Sequence, residues 1–255
     1  MNNEAVLKYF EDLAKNRQWN SIYNHKNPIS YSFIVRLQKA IRLARQFKDR
    51  RVLDLGCGTG VLMPFVIDEG GQYIGLDVSR QMLEELRRIY PCYVNNNNVQ
   101  LILGDIKKTS LPDNIDIIIG LGFIEYLDSP DELIKMLYNK LLRGGRLILS
   151  FPNFCSLDYA SIQFLAPFRY LAKRIFNRFT SQPPRMLWNT KRAKSLYIKT
   201  GFENLEIVNY NINIFSYPFT RISAPFANYW ARRFEYSALS KCSFFATGFL
   251  ISGEK

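Results

Sequence analysis

Paired cysteines, abundant histidine and long apolar runs are all missing from this chain. Its four cysteines, Cys57, Cys92, Cys155 and Cys242, are dispersed and form no CxxC pair. Spacing therefore offers no zinc site and no disulfide framework. Scattered thiols and no leader-like N-terminal stretch point to a reducing, cytoplasmic setting. No uncharged apolar run reaches the roughly 18 residues that a membrane span requires. A single histidine, His25, is the whole imidazole supply for acid–base or metal chemistry. No Gly-Lys-Ser/Thr triplet occurs, which excludes the phosphate loop of nucleotide hydrolases.

What is present describes a folded, single-core protein. Of the 255 residues, 47% are hydrophobic and 22% charged, with a mean hydropathy of −0.13. A chain of this length buries most of its apolar surface without metal or disulfide staples, and fits one enlarged domain. The net charge of +12 is unevenly spread. Residues 51–150 carry ten basic against thirteen acidic groups, whereas residues 151–200 carry nine against one. A basic flank suits a solvated face, or steers an anionic partner such as a phosphorylated substrate, a membrane surface or RNA.

Periodicity divides the chain. In residues 1–50, Val6, Tyr9, Phe10 and Leu13 share one helical face, and Phe33, Leu37, Ile41 and Ala44 another, split by Asn27-Pro28. From residue 51, short β-rich runs alternate with helices. Strands are expected at Arg51–Leu55, Gln72–Leu76, Val99–Leu103, Ile115–Gly120 and Arg146–Ser150, with helices at Val61–Glu69, Ser79–Tyr90 and Pro130–Leu142. A helix at Thr190–Thr200, closed by Gly201, precedes late strands at Phe202–Tyr210 and Phe244–Ser252. Seven strands, five of them joined by crossovers, predict a doubly wound α/β sheet. The divisions expected are an N-terminal helical lid over 1–50, a core over 51–153, a basic cap over 154–189, and late strands over 190–255 with an aromatic insertion at 212–243.

The most informative stretch is Val52-Leu53-Asp54-Leu55-Gly56-Cys57-Gly58-Thr59-Gly60, an apolar strand running into a glycine-rich turn and a helix. Glycines let such a turn bend sharply and approach a ligand, and the helix start favours negative charge. The dinucleotide fingerprint GxGxxG needs glycine at 61, where Val61 stands. Asp77, closing the next strand, is placed to accept hydrogen bonds from both hydroxyls of a ribose. Asp105, after the third strand, can accept from an exocyclic amine, with Ile106 and Met82 as apolar walls. These three sites together describe an adenosyl ligand with a carboxylate tail.

On those residues the chain resembles the class I S-adenosylmethionine-dependent methyltransferases, whose core is a Rossmann-like α/β sheet. Val52–Gly60 resembles the family's first motif, Tyr73–Ser79 its acidic second-strand motif, and Gly104-Asp105 its third. Ile115–Leu127 and Arg143–Asn153 resemble the two later strands and the helix between them. The resemblance implies S-adenosylmethionine as cofactor. It places Asp54, Gly56, Cys57, Gly58 and Gly60 around the methionine part and Asp77 at the ribose. Val78 and Met82 would face the adenine, Asp105 and Ile106 would hold its edge, and Leu121 would line the sulfonium.

Acceptor class is read from the residues just after the fourth strand. Nucleic-acid base enzymes of this family carry Asn/Asp-Pro-Pro-aromatic there, to grip an amine on a flipped base. Here the stretch is Gly120-Leu121-Gly122-Phe123-Ile124-Glu125-Tyr126, with no Pro-Cys nucleophile either. It resembles the small-molecule branch, which often reads Leu-Glu-His, with Tyr126 in the histidine's place. A base, where one is needed, is expected at His25 first and then among Tyr23, Tyr31 and Tyr126. No metal is expected. Between Leu157 and Trp188, Phe164, Leu165, Phe168, Leu171, Ala172, Ile175, Phe176 and Phe179 fall on one helical arc, opposite Arg169, Lys173, Arg174 and Arg178. Such a helix covers a cleft or lies on an anionic membrane. The expected acceptor is an O or N atom of a small molecule, a lipid or a lipid-linked molecule, anionic in one reading, with peripheral membrane contact and no DNA partner. RNA or protein methylation, and non-catalytic binding of the cofactor, stay open as alternatives.

Overall fold

Runs rich in Val, Ile and Leu become the middle of a seven-stranded sheet because apolar side chains cover both of their faces. The strands are β1 (Arg51–Leu55), β2 (Gln72–Asp77), β3 (Val99–Leu103), β4 (Ile115–Gly120), β5 (Leu141–Pro152), β6 (Glu203–Ile212) and β7 (Ala246–Glu254). Their order across the sheet is β3-β2-β1-β4-β5-β7-β6. The first five are parallel, and β7 runs antiparallel between β5 and β6. The computed structural model describes residues 3–16, 19, 23, 30–167, 185–216, 219 and 223–255.

Alternation along the strands separates two cores. Leu53 and Leu55 point with Ile118, Leu147 and Leu149 to the side of α6 (Pro130–Lys140) and α8 (Thr190–Thr200). Val52 points with Ile117, Ile119 and Ile148 to the side of α2 (Ser30–Ala44), α3 (Met63–Asp68) and α4 (Arg80–Ile89). The remaining described helices are α1 (Asn3–Lys15), α5 (Pro91–Val94), α7 (Leu157–Phe164) and α9 (Ala224–Phe234). Caps fix the ends that matter to the cleft. The Ser79 hydroxyl accepts from Met82 N at 3.2 Å at the start of α4, and Gly201, with φ of 105°, closes α8 in the left-handed region.

Several boundaries differ from those expected. The helix expected to reach Leu142 ends at Lys140, because Leu141 turns extended and pairs with Ile115. A register shift between Ile115 and Ile117 then takes up Leu142–Gly145, so β5 begins five residues before Arg146. The Phe244-Phe245 pair, read as strand, lies in a 3₁₀ turn, and β7 starts at Ala246. The first crossover helix is shorter than Val61–Glu69, since residues 61 and 62 belong to the glycine turn. On α2 the buried face is Val35, Leu37, Ala40, Leu43 and Ala44, with Arg36 and Lys39 buried beside them, whereas Phe33 and Ile41 are half-buried. Periodicity alone counts a basic residue as outward; here each has an internal partner. Lys39 pairs with the fully buried Glu235 and donates to Asn209 O at 2.7 Å. Glu235 in turn accepts from Tyr31 Oη at 3.2 Å and from Ile212 N at 3.0 Å.

Candidate active site

The carboxyl ends of β1 to β4 meet at one edge of the sheet, where the glycine turn, Asp77, Asp105 and Gly122 converge on a single cleft. Parallel strands gather their following loops at that edge, which is why residues distant in sequence share a wall.

The turn after β1 is held from two sides. Cys57 N donates to Leu76 O at 3.0 Å, and Gly58 N donates to Asp77 Oδ2 at 2.8 Å. Ser79 N donates to Asp77 Oδ1 at 2.8 Å. Each Asp77 oxygen thus keeps lone-pair capacity on the cleft side while the backbone fixes its direction. Gly58, at φ of 53°, faces the Trp19 indole, and a Cβ there would stand 3.3 Å from its Nε1. Gly60, at φ of 73°, has a different neighbour: a Cβ would meet Leu86 Cδ1 at 2.5 Å, so this glycine lets α4 pack against the turn.

Behind the turn, buried Asp54 accepts from Tyr73 Oη at 2.8 Å. Burial pushes its carboxyl up to about 7, and the nearby Asp77 charge adds to the rise while the Tyr73 hydrogen bond opposes it. Burial also raises Asp77, against the backbone N–H groups of Ser79, Gly58 and Val78, which favour its charge. The Cys57 thiol is held well up by burial and by both carboxylates, so it is a neutral packing group.

The far wall and roof are apolar. Val78, Met82 and Ile106 flank one end, next to Asp105, whose Oδ1 accepts from Lys107 N at 2.9 Å. Leu121, Gly122 and Phe123 flank the other. Val6, Leu7 and Phe10 of α1 close over the top, with Phe10 edge-on to Trp19 at 5.5 Å and to Tyr126 at 5.4 Å. Tyr126 is half-buried in this aromatic corner, and burial, then the Glu125 charge, raises its phenol above the ordinary tyrosine value.

Most of the residues singled out from sequence reach the cleft. Gly56, Gly58, Asp77, Val78, Met82, Asp105, Ile106, Leu121 and Tyr126 line it, whereas Asp54, Cys57 and Gly60 stand outside its lining. His25, and the basic residues Arg169, Lys173, Arg174 and Arg178, lie outside the described residues.

Sequence reasoning missed Trp19, Tyr73, Arg36 and Glu125. Arg36 packs against Gly122, 3.0 Å from where a Cβ would be, and its guanidinium sits 4.8 Å over Phe33. Arg36 Nε and Glu125 Oε2 are buried without a hydrogen-bond partner. Within Ile124-Glu125-Tyr126, the glutamate was the signal in the sequence. Among the described residues, no group of three or more His, Cys, Asp or Glu side chains is placed to hold a metal.

Comparison with known proteins bears on the fold. The family model described as "Methyltransferase domain" matches residues 53–147. A tRNA U34 carboxymethyltransferase of Vibrio cholerae is 29% identical over 167 residues, 65% of this chain and 48% of its own. Protein arginine N-methyltransferase 1 of Saccharomyces cerevisiae is 33% identical over 122 residues, 46% of this chain and 34% of its own. The chain thus spans about half the length, or less, of the curated relatives it matches. Among solved structures, the magnesium protoporphyrin IX methyltransferase of Synechocystis PCC 6803 with bound SAH superposes with a TM-score of 0.67. It covers 100% of both chains at 15% identity. The likeness to that structure is one of fold.

Proposed function

Residues 53–147 belong to the class I S-adenosylmethionine-dependent methyltransferase domains, and from that premise we propose that the chain transfers a methyl group to a small-molecule or lipid acceptor. The observation that carries the cofactor assignment is Asp77. Gly58 N and Ser79 N fix its two oxygens, each at 2.8 Å, and lone-pair capacity is left for hydroxyls in the cleft. An adenosyl group fits these residues: Asp77 takes the ribose, Val78, Met82 and Ile106 form the slot for a flat base, and Asp105 accepts at its edge. Gly56 and Gly58 leave the backbone open to the methionine part, with Asp54 and Cys57 behind the turn and Gly60 holding it against α4. Leu121 lines the sulfonium end.

The sulfonium supplies an electrophilic methyl carbon. The chain supplies placement. Its roof of Val6, Leu7, Phe10 and Trp19 excludes water, and the wall at Leu121–Phe123 sets the direction of approach. Tyr126 keeps its proton at neutral pH, so its role is to donate to and orient the acceptor. Deprotonation of a hydroxyl or ammonium acceptor is assigned to His25, and no metal takes part. Of the relatives, several are named for tRNA, one for protein arginine, and one, from Schizosaccharomyces pombe, for ubiquinone biosynthesis O-methylation. The small-molecule reading is supported by the stretch 120–126, which lacks the Pro-Pro-aromatic grip, and by the apolar roof. With a lipid acceptor the chain would work in the cytoplasm and contact the membrane peripherally through the basic segment 154–189.

The test is transfer of labelled methyl from S-adenosylmethionine to separated lipid, small-metabolite, tRNA and protein fractions. Label is expected in the lipid or metabolite fraction. Label confined to tRNA or protein would refute the acceptor assignment, and none in any fraction would refute the activity.

A further inference from the structure

Helix α9 is mounted with its small face inward. At 100° per residue, Ala227 and Ala231 share one side, and both are buried. Phe226, Tyr229, Trp230 and Arg233 share the other side, within an arc of about 100°. Phe226 is 52% exposed and Tyr229 63%. A helix that only packs onto a core does the reverse, since burying an aromatic ring gains far more than burying a methyl group. The rings are contiguous: Phe226 lies 5.1 Å from Phe215 and 6.3 Å from Trp230, and Tyr229 lies 5.6 Å from Trp230. The same segment also exposes Phe219, at 63%, and Tyr236, at 66%. Isolated exposed rings are ordinary; a joined set on one helix face marks an interaction surface.

Charge specifies the partner. Residues 213–245 contain four basic residues and one acid. That acid is Glu235, fully buried against Lys39, so among the described residues the exposed charges of this segment are all positive, Arg232, Arg233 and Lys241. Joined aromatics with arginines and no exposed acid match the headgroup layer of an anionic bilayer, where amphipathic rings and cations are both favoured. Stacked nucleic-acid bases would ask instead for free parallel ring faces. Here Tyr229 and Trp230 meet edge-on at 84° and Phe226 and Trp230 at 73°, while one face of Trp230 is already stacked on Phe234 at 17°.

Location ties the surface to the cleft. The segment leaves the sheet where β6 ends beside the start of β7, the edge that also carries the cleft. Helix α2 joins the two, with Arg36 against Gly122 and, at positions 31 and 39, the partners of Glu235 at the end of α9.

We propose that the outward face of α9 docks the protein on an anionic lipid surface, with the cleft held at the headgroup layer. The proposal rests on the lipid-acceptor reading only in its choice of acceptor; docking itself is measured without methyl transfer. The experiment is co-sedimentation of the full chain with phosphatidylcholine vesicles, with and without phosphatidylglycerol, at low and high salt. Binding is expected to the mixed vesicles only, and to weaken with salt. Phe226→Ser with Tyr229→Ser should lower the partition coefficient at least tenfold. Arg232→Gln with Arg233→Gln should lower it by about fivefold per charge, from roughly 1 kcal/mol each. No sedimentation of the unmodified chain with mixed vesicles at low salt would overturn the proposal, as would variants that sediment like it. Binding of a single-stranded RNA that the Phe226/Tyr229 variant loses, with vesicle binding retained, would also overturn it. Calorimetric binding of S-adenosylhomocysteine is run beside each variant. Its absence in a chain that still sediments would fail the methyltransferase reading and leave the docking surface standing.

Discussion

Replacing Asp54 by Asn should stabilise the protein progressively as pH rises, relative to the parent chain. Asp54 is 6% exposed, and its folded-state carboxyl is raised from 3.8 to about 7. An acid raised by folding keeps its proton in the folded state while the unfolded chain has already released it. The stability this group supplies is therefore full below the unfolded value and is lost as pH climbs towards 7. Each pH unit inside that window costs about 1.4 kcal/mol, so from about pH 5 to about pH 7 the parent should lose roughly 2–3 kcal/mol relative to the variant. Asparagine keeps an oxygen to accept from Tyr73 Oη and does not titrate. Groups common to both proteins, Asp77 included, largely cancel in the difference. Urea unfolding followed by tryptophan fluorescence across this range measures it. Parallel stability profiles, or a variant that weakens relative to the parent as pH rises, would refute the reasoning.

Asp77→Ala should weaken S-adenosylmethionine and S-adenosylhomocysteine alike, by about ten- to a hundredfold for hydrogen bonds to a charged acceptor; unchanged calorimetric affinity would remove Asp77 from the ribose. Gly60→Ala places a Cβ at 2.5 Å from Leu86 with a left-handed φ, and a loss of about 2–4 kcal/mol is expected in thermal unfolding. Lys39→Met leaves Glu235 charged and unpaired in the core, costing about 3–5 kcal/mol, and adding Glu235→Leu should recover much of the loss. Methyl transfer should survive a chelator; activity lost to chelation and restored by a divalent ion would contradict the metal-free assignment.

How far the chain could be read in advance depended on whether a residue's partner was local. β1, β3 and β4 were legible to the residue, because each is a short run rich in Val, Ile and Leu that ends at or just before a glycine. β5 was not, since its first residues include Gly144 and Gly145 and form their pairing through a register shift that no local pattern encodes. Asp77 and the glycines announced themselves by spacing along adjacent strands. Tyr73 did not, because its hydroxyl crosses to Asp54 on the next strand over Gly75, whose missing Cβ would stand 3.1 Å from that oxygen. Arg36 and Lys39 look like solvent-facing positions of α2 until Glu235 and Tyr210 are brought to them by segments more than 160 residues later.

That last separation bears on the order in which the protein is made. Lys39 and Glu235 are 196 residues apart. While the chain emerges from a ribosome, α2 can form early, but Lys39 has no counter-charge and cannot enter the interior until residue 235 is available. The wall that Arg36 forms on Gly122 depends on the same helix being seated. A growing chain that has already completed β1 to β5 therefore still has an open cleft wall. Closure waits for residue 235 to emerge, so a product truncated before it keeps its glycine turn but not its finished site.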